Sequence, residues 1–136
     1  MDCFDPDCSA GPGCPNGCGE DPAFPVLACR LDSLRARTEA ATDDPGFLDD
    51  ARQRFTKADA VLAEAETTCA EGRRRHARRA LKRLARQAGK YAKLVDSRTG
   101  RTAIADEGAR NVLIGHAGTI RGVAKALRRA VACRSS

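Results

Sequence analysis

Apolar residues after residue 25 recur at alternating spacings of four and three, which places them on one face of an α-helix. This pattern runs through residues 26–41 and 47–70, and again through residues 73–96 and 103–132. Polar breaks that contain proline or glycine separate the four stretches. The pattern therefore predicts four amphipathic helices with short connections.

One face of each predicted helix should form the core. The positions are Leu27, Leu31, Leu34, Thr38 and Ala41 in the first helix, Leu48, Ala51, Phe55, Ala58, Leu62, Ala65 and Cys69 in the second, Ala77, Leu81, Leu84, Ala88, Tyr91 and Val95 in the third, and Leu113, Ala117, Ile120, Ala124, Leu127 and Val131 in the fourth. Gly72 stands where the second helix needs a C-terminal cap. The fourth helix is weakened by glycines, namely Gly108, Gly115, Gly118 and Gly122. A kink near Gly115 is one interpretation of them.

Four such helices predict an all-α fold, an up-down-up-down four-helix bundle with a short irregular cysteine-rich N-terminal segment. A three-helix arrangement with a frayed first helix is the alternative. Aromatic residues make up 4% of the chain and much of its 42% hydrophobic content is alanine, which favours helix packing over a β-sandwich. No apolar run approaches the roughly 18 residues that span a membrane, so no membrane span is predicted.

Residues 1–25 differ in composition from the rest of the chain. They hold five prolines, four glycines and four of the seven cysteines, and they show no periodicity. Such a loop needs cross-links or a metal to become ordered. We therefore divide the chain into a disulfide-pinned segment, residues 1–25, and a helical bundle, residues 26–136.

Seven cysteines in 136 residues favour an oxidising compartment, where disulfides persist, and hence a secreted or cell-surface protein. Met1 is followed by Asp2 and Cys3 and not by the basic and apolar regions of a signal peptide. We reconcile these observations by interpreting the chain as a mature fragment, or as one whose true start lies upstream. The odd number of cysteines agrees, because one thiol is left without a partner in the chain.

Three cysteines lie at helix ends that share one pole of the predicted bundle: Cys29, Cys69 and Cys133. A disulfide needs Cα atoms within about 7 Å, which only neighbours at one pole satisfy. We predict the pairs Cys29–Cys69 and Cys18–Cys133. A Cys29–Cys133 pair is the main competitor, and Cys69 as an unbonded core residue is a further alternative.

The N-terminal cysteines do not follow a zinc pattern. Cys3, Cys8, Cys14 and Cys18 are separated by four, five and three residues, and neither histidine is near them. Aspartates alternate with the first two cysteines, which suggests hard oxygen ligands of the kind that calcium prefers. We predict no metal and no cofactor for this chain.

The D-C-x-D-P-D-C element of residues 2–8, followed by Cys14-Pro15, resembles the tail of a cysteine- and aspartate-rich repeat of surface and secreted proteins of myxobacteria and related bacteria. The resemblance implies an extracellular setting. It also implies that the missing upstream half of the repeat holds the partner of the unpaired cysteine and most of a calcium-binding loop. The helical part is similar to helical modules that end many such proteins, through residues 29–32, Cys69 and the basic third helix. That similarity implies no known activity.

Charge divides the chain sharply. Residues 1–71 carry 15 acidic and 6 basic residues, whereas residues 72–136 carry 3 acidic and 18 basic residues. Ten of the bases fall in the third helix without an intervening acid. The predicted polyanion-binding residues are Arg73, Arg74, Arg75, Arg78, Arg79, Lys82, Arg83, Arg86 and Lys90, and Lys93 extends the run.

The simplest alternative is a solvated face neutralised by the second helix, whose acids are Asp49, Asp50, Asp59, Glu64, Glu66 and Glu71. These are fewer than the bases opposite, so an unpaired stripe should remain. An extracellular polyanion or acidic protein is the expected partner. Nucleic acid is less favoured, because Tyr91 is the only aromatic residue of the helix and no nucleic-acid motif is present.

The sequence gives no reason to expect catalysis. His76 lies inside the arginine run, where we expect it to be exposed, and His116 is expected to be a hydrogen-bonded structural histidine. Neither is placed with a serine or cysteine nucleophile. We therefore predict a non-catalytic extracellular structural or binding module. The alternative is a nucleic-acid-binding helical protein with reduced cysteines.

Overall fold

A computed structural model describes residues 18–131 and residue 133, and within them the chain is helical with no strand. The helices are α1 (Phe24–Ala41), α2 (Pro45–Ala70), α3 (Arg74–Asp96), α4 (Arg98–Ala103) and α5 (Glu107–Ala130). The predicted all-α class is confirmed. The division at residue 25 stays a prediction, because residues 1–17 lie outside the described part of the chain.

The ends of α2 follow from its sequence. Pro45 fits the first helical position, and the Asp44 side chain caps the helix by accepting a hydrogen bond from the Phe47 N–H at 2.9 Å. At the other end Gly72 has a φ of +78°, a left-handed conformation that glycine adopts without steric cost. The Arg73 N–H then donates to the Thr68 carbonyl at 2.8 Å. The predicted glycine cap is confirmed.

The predicted start of a fourth helix near Ala103 is wrong, because the chain makes the separate short helix α4 first. Ser97 caps α4 by accepting from the Gly100 N–H at 3.2 Å. A Cβ at Gly100 would lie 2.1 Å from the Val95 carbonyl oxygen, so only glycine permits this tight passage. Asp106 then caps α5 by accepting from two backbone N–H groups. From there α5 runs through Gly115 without a break.

The predicted core is confirmed. Every core position named from the periodicity is buried except Ala41, which is half-buried. Phe47 and Val123 join the core as well, fully and almost fully buried. Because apolar side chains on one helical face gain free energy only when another face covers them, the periodic faces meet in one cluster.

The long helices form a helical bundle in which each packs against two others. Helix α2 contacts α1 and α3, and α5 contacts α3 and α1. Arg35 of α1 forms an ion pair with Asp59 of α2. Nearer the end of α1, Glu39 pairs with Arg52 at 3.0 Å. Residue numbers rise along α1 as they fall along α2, so these two helices are antiparallel.

Four cysteines form two disulfides, but the predicted pairing is wrong. Cys18 is bonded to Cys29 with a Cα–Cα distance of 5.6 Å, and Cys69 is bonded to Cys133 with 4.6 Å. The first pair forms because the segment before α1 folds back onto that helix. This leaves the end of α2 to bond the residue that follows α5. Neither Cys29–Cys69 nor the competing Cys29–Cys133 pair is present.

The remaining predicted disulfide cysteines, Cys3, Cys8 and Cys14, lie outside the described residues, so their bonding stays a prediction.

The segment that precedes α1 is held against that helix by a second contact besides the Cys18–Cys29 bond. The buried Arg30 side chain donates from Nε to the Gly19 carbonyl at 2.6 Å. A buried guanidinium needs acceptors, and this carbonyl supplies one of them.

Candidate polyanion-binding surface

Helix α3 forms because its residues are mostly alanine, leucine, arginine, lysine and glutamine, which are strong helix formers. Its apolar positions face the core, which forces its charged positions outward. We call the following exposed cations the basic face: Arg73, Arg74, Arg75, Arg78, Arg79, Lys82, Arg83, Arg86, Lys90 and Lys93. The structure therefore brings all nine predicted polyanion-binding residues, together with Lys93, onto the outside of one helix.

The acids of α2 neutralise little of the basic face. Glu64 pairs with Arg83, and Glu71 approaches Arg73 at 3.9 Å. Asp59, which was expected to help, instead pairs with Arg35 of α1. The other eight cations of the basic face have no carboxylate within 4.0 Å among residues 18–131 and 133.

The start of α3 goes against the usual placement of charge. Helix N-termini carry partial positive charge and favour acidic residues, at roughly 0.3–1 kcal/mol each. The first turn of α3 contains no acid, its N-cap Arg73 makes no capping hydrogen bond, and Arg74 and Arg75 follow directly. Like charges one turn apart repel as well. The sequence therefore retains a locally unfavourable concentration of positive charge at this end of the bundle.

Helix α5 adds cations that the sequence analysis did not include. A depression lined by Arg74, Arg75, Arg78, Arg79 and Lys82 of α3 is closed on its other side by Arg128 of α5. An adjoining depression shares Lys82 and Arg128 and is lined further by Arg86, Arg121 and Lys125. Together we call them the α3/α5 groove. The only signal for the α5 residues was their spacing of four and three.

The two sides of α3 differ in charge. On the side of α2, the neighbouring depression includes Glu64, whose carboxylate is paired with Arg83. On the side of α5, no acid from residues 18–131 and 133 lines the α3/α5 groove. This concentration of positive charge favours the binding of an anion between α3 and α5.

Residues 18–131 and 133 place no aromatic ring on the basic face. Tyr91 has 2% of its surface exposed and packs its ring 5.2 Å from that of Phe55 in the core. Val112, 46% exposed, is the one large hydrophobic side chain that is exposed among the described residues. It lies nine positions before Arg121, half a turn round the helix from the groove. An anion would therefore be recognised by charge and hydrogen bonding, and not by stacking or apolar contact.

The two histidines lie on different helices and in different surroundings. His76 is exposed, as expected, and lines the α2 side of α3. His116 is half-buried, and burial, with Arg37 and Arg30 nearby, lowers its pKa below 6.5. The two charged groups that contribute to this lowering of the pKa are therefore both arginines. The expected structural hydrogen bond of His116 is not formed among the described residues.

The interior of the bundle leaves almost no empty space between the helices at its aromatic centre. The cavity between Leu31, Phe55, Tyr91 and Ile120 has a volume of only about 10 Å³, which is at most the space of one water. No cluster of three or more histidine, cysteine or acidic side chains suited to a metal occurs in residues 18–131 and 133.

None of the helices described has the combination of length and apolar composition that crossing a membrane requires. Comparison with known proteins returned no matching family model, no matching curated protein and no matching solved structure. The repeat-like element of residues 2–8 lies outside the described residues, so its resemblance stays a prediction.

Proposed function

We propose that this chain is a non-catalytic, extracellular structural or binding module whose basic face binds polyanions. One observation carries the proposal: eight of the ten exposed cations of the basic face have no carboxylate partner among the described residues. Structural neutralisation by the six acids of α2 and its C-cap would have paired more than two of the ten. A bound polyanion would offset the repulsion that the α3 sequence retains.

The extracellular part of the proposal is supported by the disulfides. Disulfides such as Cys18–Cys29 and Cys69–Cys133 persist in oxidising compartments and are rare in reducing ones.

An acidic protein is a second type of partner, because it carries negative charge as a polyanion does. The basic face offers it no aromatic or large apolar anchor, which protein interfaces usually use. A linear polyanion therefore fits this face better.

We also propose that the four long helices run up-down-up-down and that α4 is part of the connection between α3 and α5. The antiparallel contacts of α1 with α2 support this topology. Between α2 and α3, Phe55 contacts Tyr91 and the later residue Glu64 pairs with the earlier residue Arg83. Residue numbers therefore rise along α2 as they fall along α3, as in an antiparallel pair. The Cys69–Cys133 bond places the ends of α2 and α5 together, as this topology requires.

Binding to immobilised heparin over a range of salt concentrations tests the proposed function. We expect the oxidised full chain to bind with a steep salt dependence. The double variant Arg75→Ala, Arg79→Ala should bind more weakly and reduce the salt slope by about one per lost contact. Lys57→Ala, Arg98→Ala is the matched control, because it removes two exposed cations that do not belong to the basic face. Equal binding by all three proteins would make the basic face a solvated surface only.

The alternative function, a nucleic-acid-binding protein with reduced cysteines, is favoured by the arginine content of the face, since guanidinium groups suit phosphates. Thiol alkylation followed by intact mass, with and without reductant, separates the two functions. Protection of at least four cysteines would support the extracellular module. Seven free thiols would favour the alternative.

A further inference from the structure

We infer that α3 and α5 form the two walls of a groove that holds a single extended strand of an acidic polysaccharide. The inference rests on the proposed polyanion binding. It adds a second helix to the site, and it names the class and the shape of the ligand.

Each wall carries a regular row of cations. On α3, Arg75, Arg79, Lys82 and Arg86 follow one another at spacings of four, three and four. On α5, Arg121, Lys125 and Arg128 follow at four and three. At 1.5 Å per residue the α3 row places a charge about every 5 Å over a length of about 16 Å. A polymer with acidic groups along its length could meet these rows repeatedly, which a compact anion could not.

The rows oppose each other across the groove. Arg128 lines the same depression as Arg75 and Arg79, whereas Arg121 lines the depression that contains Arg86. Packed helix axes lie about 8–10 Å apart, so one strand that lies over the groove could contact both rows, one on each side. Arg128 is half-buried and lines both depressions, which places it at the junction of the two halves.

The residues that line the α3/α5 groove favour one class of ligand, an acidic polysaccharide. It combines positive charge with the apolar side chains of Leu81 and Ala85 at its base and contains no acid. Single-stranded nucleic acids are usually held by aromatic side chains on which the bases stack. None of the described residues that line the groove is aromatic. A polysaccharide with sulfate, phosphate or carboxylate groups needs no such stacking surface.

The test uses the oxidised full chain and fluorescent heparin oligosaccharides of increasing length, followed by anisotropy. We expect affinity to rise with oligosaccharide length and to level off once the strand spans the groove, about 16 Å. Arg121→Gln, Lys125→Gln should weaken binding by about 2- to 30-fold, the range expected for two exposed ion pairs. The matched control Lys57→Gln, Arg98→Gln should change binding less than about twofold. All four positions are exposed, and within residues 18–131 and 133 none of them has a side-chain hydrogen bond or ion pair.

The outcomes separate this inference from the proposed function. If the α5 variant binds like its control while Arg75→Ala, Arg79→Ala is weakened, the second wall is excluded and polyanion binding by α3 stands. If both variants bind like wild type, both proposals fail. A single-stranded DNA with the same number of charges provides the test of ligand class. Tighter binding of this DNA than of the oligosaccharide would overturn the polysaccharide assignment.

Discussion

Tyr91 of α3 donates a hydrogen bond to Thr38 Oγ1 of α1 at 2.6 Å, across the buried centre of the bundle. The direction follows because the single Thr38 hydroxyl proton is used in a 2.7 Å hydrogen bond to the Leu34 carbonyl. Burial raises the pKa of Tyr91 to about 12, which keeps the phenol protonated and able to donate. This contact fixes the register between two helices that are not neighbours in sequence.

Removing the acceptor should therefore cost more than removing the donor. Tyr91→Phe loses one hydrogen bond, at about 1 kcal/mol of unfolding free energy. Thr38→Val leaves the Tyr91 hydroxyl buried without a partner, which should cost about 1–3 kcal/mol. Urea unfolding of both single variants and the double variant measures the difference. The double variant should be more stable than the sum of the single effects predicts, and strict additivity would contradict the assigned contact.

Glycine-to-alanine substitutions should have opposite effects at two positions. Gly118 lies on the exposed side of α5, where an added Cβ would meet nothing within 4 Å. Gly118→Ala should stabilise the protein by up to about 1 kcal/mol, because alanine favours the helix. At Gly100 an added Cβ would lie 2.1 Å from the Val95 carbonyl oxygen, so Gly100→Ala should destabilise by about 1–3 kcal/mol. Thermal unfolding of the two variants checks the signs, and a stable Gly100→Ala variant would argue against the tight turn at α4.

His116 should make stability depend on pH. Its pKa is lowered from 6.5 in the folded chain by burial and by the positive charges of Arg37 and Arg30. The unfolded chain therefore takes up the proton at higher pH than the folded chain, so the free energy of unfolding falls as pH drops through 6.5. His116→Gln should remove this part of the loss.

The measurement for His116 is the urea midpoint of wild type and variant on both sides of pH 6.5. His76→Gln is the control for the loss of an imidazole, since His76 is exposed. An unchanged slope in the His116 variant would show that other groups cause the acid dependence.

The two disulfides should stabilise to different degrees. Cys69–Cys133 closes a sequence separation of 64 residues and Cys18–Cys29 one of 11. In the chain-entropy model these loops correspond to about 4 and about 3 kcal/mol respectively. Replacing both cysteines of each pair by alanine and comparing denaturant midpoints tests the order. Non-reducing peptide mapping should recover these two linked pairs, and recovery of Cys29 with Cys69 would contradict the fold-back of the N-terminal segment.

The helices and the core could be predicted from the sequence because their signal is local and repeated. Leu81, Leu84 and Tyr91 recur at helical spacing, and burial in the bundle follows from that spacing alone. The break between α4 and α5 also had a signal, since Ser97 and Asp106 are both residues that cap helix N-termini. The prediction does not include this break, because it begins the fourth helix near Ala103, before the cap at Asp106.

The disulfide pairing and the position of α5 as the second wall of the groove could not be predicted from helical periodicity. The partner of Cys29 depends on how an irregular segment folds back, which no periodicity describes. Arg121 and Lys125 stand among glycines and apolar residues, so they form no run of charge. Their position beside α3 depends on how α5 is rotated against its neighbour. That rotation is set by packing between helices and not by either helix alone.

The Cys69–Cys133 bond also determines how the molecule would carry a mechanical load. A pull on the two ends of the oxidised chain would pass along α2 to Cys69, cross the disulfide to Cys133 and leave the protein there. Helices α3, α4 and α5 lie outside this covalent path, and their 64-residue loop, about 220 Å when fully extended, would not lengthen unless the disulfide were broken. The bond therefore limits how far the oxidised chain can be stretched, and it keeps the backbone of both walls of the α3/α5 groove out of the line of tension.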